Sequence, residues 1–265
     1  METRIRIRLG DLEVECIGDD VFVATRLPDL VSDLLRRLRD QQPAPTPPPS
    51  EPPSPRTVSI AGSAINYFNG NPLPAARVSA TGLTPGLSGT SDASGRYALS
   101  GDSTGAECFL SVTDVENFVD TATGPFRVAA APLTLTAVAL SATDVNRQYV
   151  SVGRSRPDGL GVVIVHLRDG SGQPLETVPA SDVTLAADSG SPVGVGPFFF
   201  GPAGDIEPAL TVSRAFNGRA RAAFLDVPAG GCTLQVTAPN GERATVRLFA
   251  SAGAVITEAT LQPVA

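Results

Sequence analysis

The chain has 265 residues, enough for one to three domains, and a formal net charge of −7. Such a charge disfavours nucleic acid and anionic membrane surfaces as partners. All basic residues are arginines, and one histidine, His166, excludes any mechanism that needs two imidazoles. No apolar run is long enough to span a bilayer. The first residues lack the apolar stretch of a secretory signal, so we expect a cytoplasmic protein, with export by a non-classical route left open.

Residues 1–42 predict two strands and a helix, a ββα unit. Apolar side chains alternate first with arginines and then with glutamates, and Gly10-Asp11 between the two runs is typical of a turn. An antiparallel hairpin would place arginines opposite glutamates. A stripe of apolar residues with helical spacing follows. Our candidate docking or oligomerisation residues lie on this stripe: Leu27, Leu30, Val31, Leu34 and Leu38.

A unit of about 40 residues rarely sustains its own core without disulfides, a metal or a partner. We therefore expect residues 1–42 to self-associate or to bind a protein partner. Residues 43–56 are rich in proline and predict an extended, semi-rigid linker. Such a segment can also be a ligand for a proline-recognition domain, but a spacer requires only this composition.

The remaining chain predicts a mainly β protein. Short apolar runs separated by Gly, Pro, Asn and Asp favour one β-sandwich over residues 57–142 and another over 148–265. The segments QYVSVG at 148–153 and ALTVSRAF at 209–216 are among the predicted strands of the second module. No helical pattern separates the strands, which favours two tandem sandwiches.

The two modules are interpreted as copies of one unit. Asn71-Pro72-Leu73 and Gln173-Pro174-Leu175 each follow a first strand and lie 102 positions apart, whereas Gly95 and Gly218 lie 123 positions apart. This increase in the offset between the copies predicts an insertion in the second copy, near residues 186–210. Repeats of this kind set the architecture of a chain.

The same residues carry a family resemblance. The segments NPLPAARV (71–78), GTSDASGRYAL (89–99) and VPAGGCTLQVTAPNG (227–241) resemble the carboxypeptidase regulatory-like, or transthyretin-like (prealbumin-like), β-sandwich. The resemblance implies a transthyretin-like or Ig-like sandwich that usually serves as an accessory domain. Cys108 and Cys232 stand where that family often has a tyrosine.

This chain lacks the residues that the known chemistries associated with this resemblance require. The urate-pathway hydrolases use several histidines, intradiol dioxygenases use two histidines and two tyrosines for iron, and zinc carboxypeptidases need histidine ligands. The pilin repeats that cross-link Lys to Asn need a lysine, and the chain has none. We therefore expect a non-enzymatic protein with no catalytic residues, no metal, no cofactor and no small-molecule ligand.

Three groups of polar residues have alternative interpretations. Cys16, Cys108 and Cys232 are too widely spaced for a zinc site and predict buried thiols. His166 lies on the strand face of Val162 and Ile164 and predicts a half-exposed residue rather than a base or ligand. Four aspartates could suggest calcium, but Asp92 with Gly95 fits a hairpin turn better. Those aspartates are Asp92, Asp102, Asp114 and Asp120.

Phe198, Phe199 and Phe200 stand together inside the predicted insertion. Because neighbours on a strand face opposite sides, one of the three must point away from its own core. The triplet is therefore our candidate partner-binding site. The alternative is an insertion that folds back and covers a sheet face.

Two functions remain open at this level. One is a structural or adaptor protein that docks through residues 1–42 and presents two sandwiches within a larger bacterial assembly. The other is a cell-surface adhesion or carbohydrate-binding protein built from the same sandwiches. The missing signal and the small number of aromatic residues favour the first, and the lysine-free, Ala-, Arg- and Pro-rich composition fits a GC-rich bacterial genome.

Overall fold

The computed structural model describes residues 2–9, 12–19, 56–128 and 131–262. The protein is mainly β, as predicted, and several mixed sheets and one α-helix make up this part of the chain. Two compact units cover residues Met1–Pro52 and Pro53–Ala265, and each is described by itself.

The first unit contains an antiparallel hairpin of β1 (Glu2–Leu9) and β2 (Leu12–Asp19). Its register pairs Arg6 with Glu15 and Arg8 with Glu13, which confirms the predicted pairing of arginine with glutamate positions. The predicted helix with its five docking residues and the linker up to residue 55 lie outside the described residues.

The first sandwich packs a four-stranded sheet, ordered β6-β3-β10-β8, against the four strands β9-β7-β4-β5 of a longer sheet. Its first and last strands, β3 and β10, pair in parallel, and its core lies between the sheets. The strands are β3 (Arg56–Asn66), β4 (Arg77–Thr81), β5 (Leu87–Thr90), β6 (Arg96–Ser103), β7 (Glu107–Thr113), β8 (Phe118–Val119), β9 (Thr121–Arg127) and β10 (Leu133–Ser141).

The second sandwich repeats this plan. Its first and last strands, β11 and β18, pair in parallel, and a three-stranded sheet β12-β16-β17 covers its other side. The strands are β11 (Gly161–Arg168), β12 (Val183–Ala187), β13 (Val195–Phe199), β14 (Ala215–Phe216), β15 (Arg219–Val227), β16 (Gly230–Thr237), β17 (Arg243–Ala250) and β18 (Ala254–Thr260).

A helix, α1 (Ala142–Ser151), connects the sandwiches. The strand predicted over 148–153 is therefore wrong. The Ser141 hydroxyl accepts a hydrogen bond from the Asp144 amide at 3.0 Å and caps the helix, and Val145 and Tyr149 bury one helical face. Of the strand predicted over 209–216, only Ala215–Phe216 forms one, as β14.

Two buried serines support the internal repeat. Ser91 Oγ donates to the Leu73 carbonyl at 2.6 Å and accepts from the Ala76 amide at 2.9 Å. In the second sandwich, Ser213 Oγ donates to Leu175 and accepts from Val178, at 2.9 and 3.0 Å. The spacing between copies therefore changes between Val178 and Ser213, the interval that holds the predicted insertion. That insertion supplies β13, which pairs with β15.

The two sandwiches share one sheet. β18 pairs in parallel with β9, where Ala254 lies opposite Thr121 and Ile256 opposite Thr123, and this joins nine strands into a continuous sheet. On one face of β11, Val163 and Val165 enter the core of the second sandwich, and on the other Ile164 enters a third cluster. We call this cluster the boundary core. It comprises Tyr67, Leu140, Val145, Tyr149, Val162, Ile164, Phe200, Ile206, Ala223, Leu225, Ala254 and Ile256.

Candidate functional site

The histidine of the chain lies where the two sandwiches meet. His166 is on β11, on the face of Val162 and Ile164, as the alternation predicted. Its Nε2 lies 2.8 Å from the hydroxyl of Tyr67, which follows β3 of the first sandwich. The two rings meet edge to face, with centroids 5.7 Å apart. The hydrogen bond therefore joins the modules across the boundary.

The electrostatic surroundings keep both rings uncharged at neutral pH. Burial, followed by the positive charges of Arg219, Arg221 and Arg168, lowers the pKa of His166 from 6.5 to about 3. Burial raises the pKa of Tyr67 above 10.0, although Arg221 and Arg219 act in the opposite direction. A neutral imidazole beside a neutral phenol fits a structural hydrogen bond better than acid–base chemistry.

A cavity of about 430 Å³ opens beside this pair. One wall comes from the first sandwich and includes Tyr67 and Phe126, and the other comes from the second and includes His166 and Ile256. Its polar side holds an ion pair in which Arg168 Nε donates to Glu258 at 2.6 Å. The cavity is thus mainly apolar, with one neutralised charge pair at its edge and the Arg219 side chain in its wall.

The arginines of β15 surround the same boundary. Arg221 lies opposite His166 in the β11–β15 register, and Arg219 lies two residues earlier on the same face. The Arg221 guanidinium stacks 4.4 Å from the centroid of Phe200, and Arg219 lies 5.9 Å from that of Tyr67. Such cation–π contacts are favourable where the cation is desolvated. The site therefore combines aromatic rings with positive charge.

Sequence reasoning missed Tyr67, Arg219 and Arg221. Tyr67 lies at a strand end next to a turn, where no periodicity marks it. The arginines left a weak signal, since the run RARAAFL places two of them on one face of a buried strand. In the part of the chain that the structure describes, no group of three or more His, Cys, Asp or Glu side chains is placed to hold a metal ion.

The phenylalanine triplet is largely buried. Phe199 lies in the core of the second sandwich, Phe200 in the boundary core, and Phe198 packs partly against the latter. Phe199 and Phe200 are neighbours in the chain, and the alternation of the strand therefore places their rings in two different cores. This burial fits the alternative in which the insertion covers a sheet face. Partner binding by the triplet stays a prediction, and it would require Phe199 and Phe200 to leave their cores.

The remaining candidates have local roles. Cys108 and Cys232 are buried free thiols, as predicted, and burial raises the pKa of each. Asp92 Oδ1 accepts hydrogen bonds from the Ser94 amide, the Ser94 hydroxyl and the Arg96 amide at 2.7–2.9 Å, which lowers its pKa and confirms the turn. The side chain of Cys16 lies outside the described residues.

A helix suited to crossing a bilayer does not occur among the described residues. No protein-family model matches the sequence, and no curated protein matches it. Among solved structures, the TIE protein of Bacillus anthracis is 12% identical with a TM-score of 0.26, and the match covers 78% of this chain. It covers 34% of that chain, so this chain spans about a third of the TIE protein's length.

Two pilins match this chain over their whole length, with similarly low sequence identities and TM-scores. The shaft pilin SpaA from Lactobacillus rhamnosus GG is 11% identical with a TM-score of 0.22, over 80% of this chain and 100% of that one. BcpA, the major pilin subunit of Bacillus cereus, is 9% identical with a TM-score of 0.23, over 78% and 100%. The chain is thus similar, at low identity, to pilin and TIE-protein structures, and likenesses of this size do not transfer a function.

Proposed function

We propose that the chain is a non-enzymatic structural or adaptor protein. Residues 53–265 act as one stiff two-sandwich unit, and residues 1–42 dock it to a protein partner or to a second copy. A cytoplasmic location belongs to the same proposal and is tested by fractionating the native host.

The observation that carries the proposal is the parallel pairing of β18 with β9. Modules that serve separate ligands are usually joined by a linker that lets them move, with a small polar interface. Here backbone hydrogen bonds continue from one sandwich into the next, and the boundary core seals the junction. A junction of this kind resists bending, which suits a protein that holds other parts at a fixed separation.

Side-chain contacts around α1 support the same proposal. The Gln148 side chain is buried, and its Oε1 accepts from the Ile206 amide at 2.8 Å. The Tyr149 hydroxyl accepts from the Asp226 amide at 3.1 Å. The connecting helix is thus fixed to the second sandwich through hydrogen bonds of two buried side chains rather than left as a hinge.

Light scattering on the full chain tests the docking half of the proposal. We expect the full chain to associate, or to capture its partner, and expect both Leu34→Asp and deletion of residues 1–42 to abolish this. Exposed Arg247→Gln in the second sandwich is the matched control and should leave association unchanged. Unchanged size and unchanged partner capture after the deletion would refute docking through residues 1–42.

Calorimetry tests the stiff unit independently. Residues 53–265 should unfold in a single transition, and Ile256→Asp, which places a charge in the boundary core, should separate it into two. Two transitions in the unaltered protein would contradict the proposal.

A further inference from the structure

A second cavity, of about 450 Å³, lies at the boundary on the side of α1. The two sandwiches, the connecting helix and the insertion all contribute to its wall. Its charged and aromatic side chains are Phe68, Asp144, Arg147, Phe216, Arg219 and Arg221. Its volume falls within the range of small-molecule sites, roughly 300–1,000 Å³.

Arg221 is the unusual member of this wall. It is only 6% exposed, and its Nε is buried without a hydrogen-bond partner. Proteins seldom bury a guanidinium unless a carboxylate or another anion accompanies it, because desolvating the charge is unfavourable. Stacking on Phe200 at 4.4 Å offsets part of that penalty but does not neutralise the charge.

The neighbouring carboxylates already form ion pairs with another arginine of the wall. Arg147 donates to Asp144 at 3.1 Å and to Asp205 at 2.9 Å, so both acids pair with the same guanidinium. Asp144 also accepts from the Ser141 hydroxyl at 2.5 Å. In the described part of the chain, no carboxylate lies within 4.0 Å of the guanidinium nitrogens of Arg219 or Arg221. Arg219 and Arg221 thus line the cavity without an ion-pair partner, and the three arginines around it exceed the two aspartates by one formal charge.

The geometry brings these charges together. Arg219 and Arg221 occupy alternate positions of β15 and point to the same face, and both line this cavity. Carboxylate and phosphate groups match guanidinium groups because each offers two oxygens to parallel N–H donors. The rings of Phe68 and Phe216 add apolar wall for the organic part of a ligand.

We propose that this cavity binds an oxyanion group, a carboxylate or a phosphate, of a small organic ligand through Arg219 and Arg221. The oxyanion supplies the missing counter-charge for Arg221, and the ligand's apolar part contacts the two phenylalanines. This site goes beyond the proposed structural function and does not depend on it. It departs from our sequence-based expectation, which assigned the chain no small-molecule ligand.

Isothermal titration calorimetry on the full chain tests the site, with inorganic phosphate and benzoate as probes and chloride at equal ionic strength as the reference. We expect saturable binding of at least one probe, and the probe that binds identifies phosphate or carboxylate as the preferred group. Binding should weaken at least tenfold in Arg219→Gln and in Arg221→Met.

Arg247→Gln is the matched control, because Arg247 pairs with Asp188 at 3.0 Å and does not line this cavity. It should bind the probes as the unaltered protein does. Arg219 is exposed, so Arg219→Gln keeps the test decisive even if Arg221→Met fails to fold. Absence of saturable binding, or equal binding by Arg219→Gln and the control, would overturn the proposal.

Discussion

The hydroxyl of Tyr67 and Nε2 of His166 lie 2.8 Å apart and connect a turn of the first sandwich to the first strand of the second. This contact excludes the imidazole from most solvent and places it beside the arginines of β15. The chain's histidine therefore reports on whether the boundary is closed, which makes it a probe of the fold.

The pH dependence of stability should depend on His166. Its pKa is about 3 in the folded protein and 6.5 in the unfolded chain, so below pH 6.5 the unfolded chain binds more protons. The free energy of unfolding should therefore fall as the pH drops from 6.5 towards 3. The loss approaches about 1.4 kcal/mol per pH unit, or about 2 kcal/mol by pH 5.

Urea denaturation at pH 7, 6 and 5 measures this effect. His166→Gln removes the titrating group and should flatten the curve between pH 6.5 and 5, because the carboxylates present in both proteins contribute equally. Parallel curves for the two proteins would show that His166 titrates normally in the folded state.

The repeated serines should have similar energetic roles. Ser91→Ala and Ser213→Ala each leave a buried amide and a carbonyl without a partner, so each should lower the free energy of unfolding by about 1–3 kcal/mol. Ser94→Ala, at the exposed turn, is the control and should cost less than either. A cost for Ser213→Ala no larger than for the control would argue against equivalent positions in the two copies.

The phenylalanine triplet should show graded costs. Phe199→Ala removes a fully buried ring and should destabilise the unit by about 3–5 kcal/mol in chemical denaturation, whereas Phe198→Ala should cost less. If the triplet binds a partner instead, Phe199→Ala should leave stability unchanged and abolish partner capture. A native stability with lost capture would therefore restore the partner-binding interpretation.

Removing the second sandwich should weaken the first without abolishing its fold. The core of the first sandwich consists of residues between Val58 and Ala139, so a fragment of residues 53–142 retains it. The fragment exposes the edge of β9 that β18 covers in the full chain. Circular dichroism should show a β-type spectrum with a lower melting temperature than residues 53–265, and light scattering should show self-association.

Ala122→Arg in this fragment is the matched variant. Ala122 packs against the core of the second sandwich, so in the fragment its side chain faces solvent, and a charge there should prevent edge-to-edge association. A monomeric unaltered fragment as stable as the two-sandwich unit would show that the junction contributes little.

Local pattern predicted the parts of the fold that depend on neighbours in sequence. The alternation of apolar residues predicted the strand β11 and the face on which His166 lies. The residue types Asp92 and Gly95 predicted the hairpin turn. The helix α1 was missed because Tyr149, Val150 and Val152 also suit a strand, and the capping pair Ser141 and Asp144 was the signal that distinguishes the two.

The mainly β class of the chain follows from local sequence alone, because a period of two and regular turns act over a few residues. The pairing of β9 with β18, which joins the sandwiches into one sheet, follows instead from long-range packing. That pairing links residues more than 130 positions apart, and it depends on which strand edges each sandwich leaves open. The same non-local packing brings Tyr67, His166 and Arg221 together. No local sequence pattern indicates that these three residues are neighbours in space.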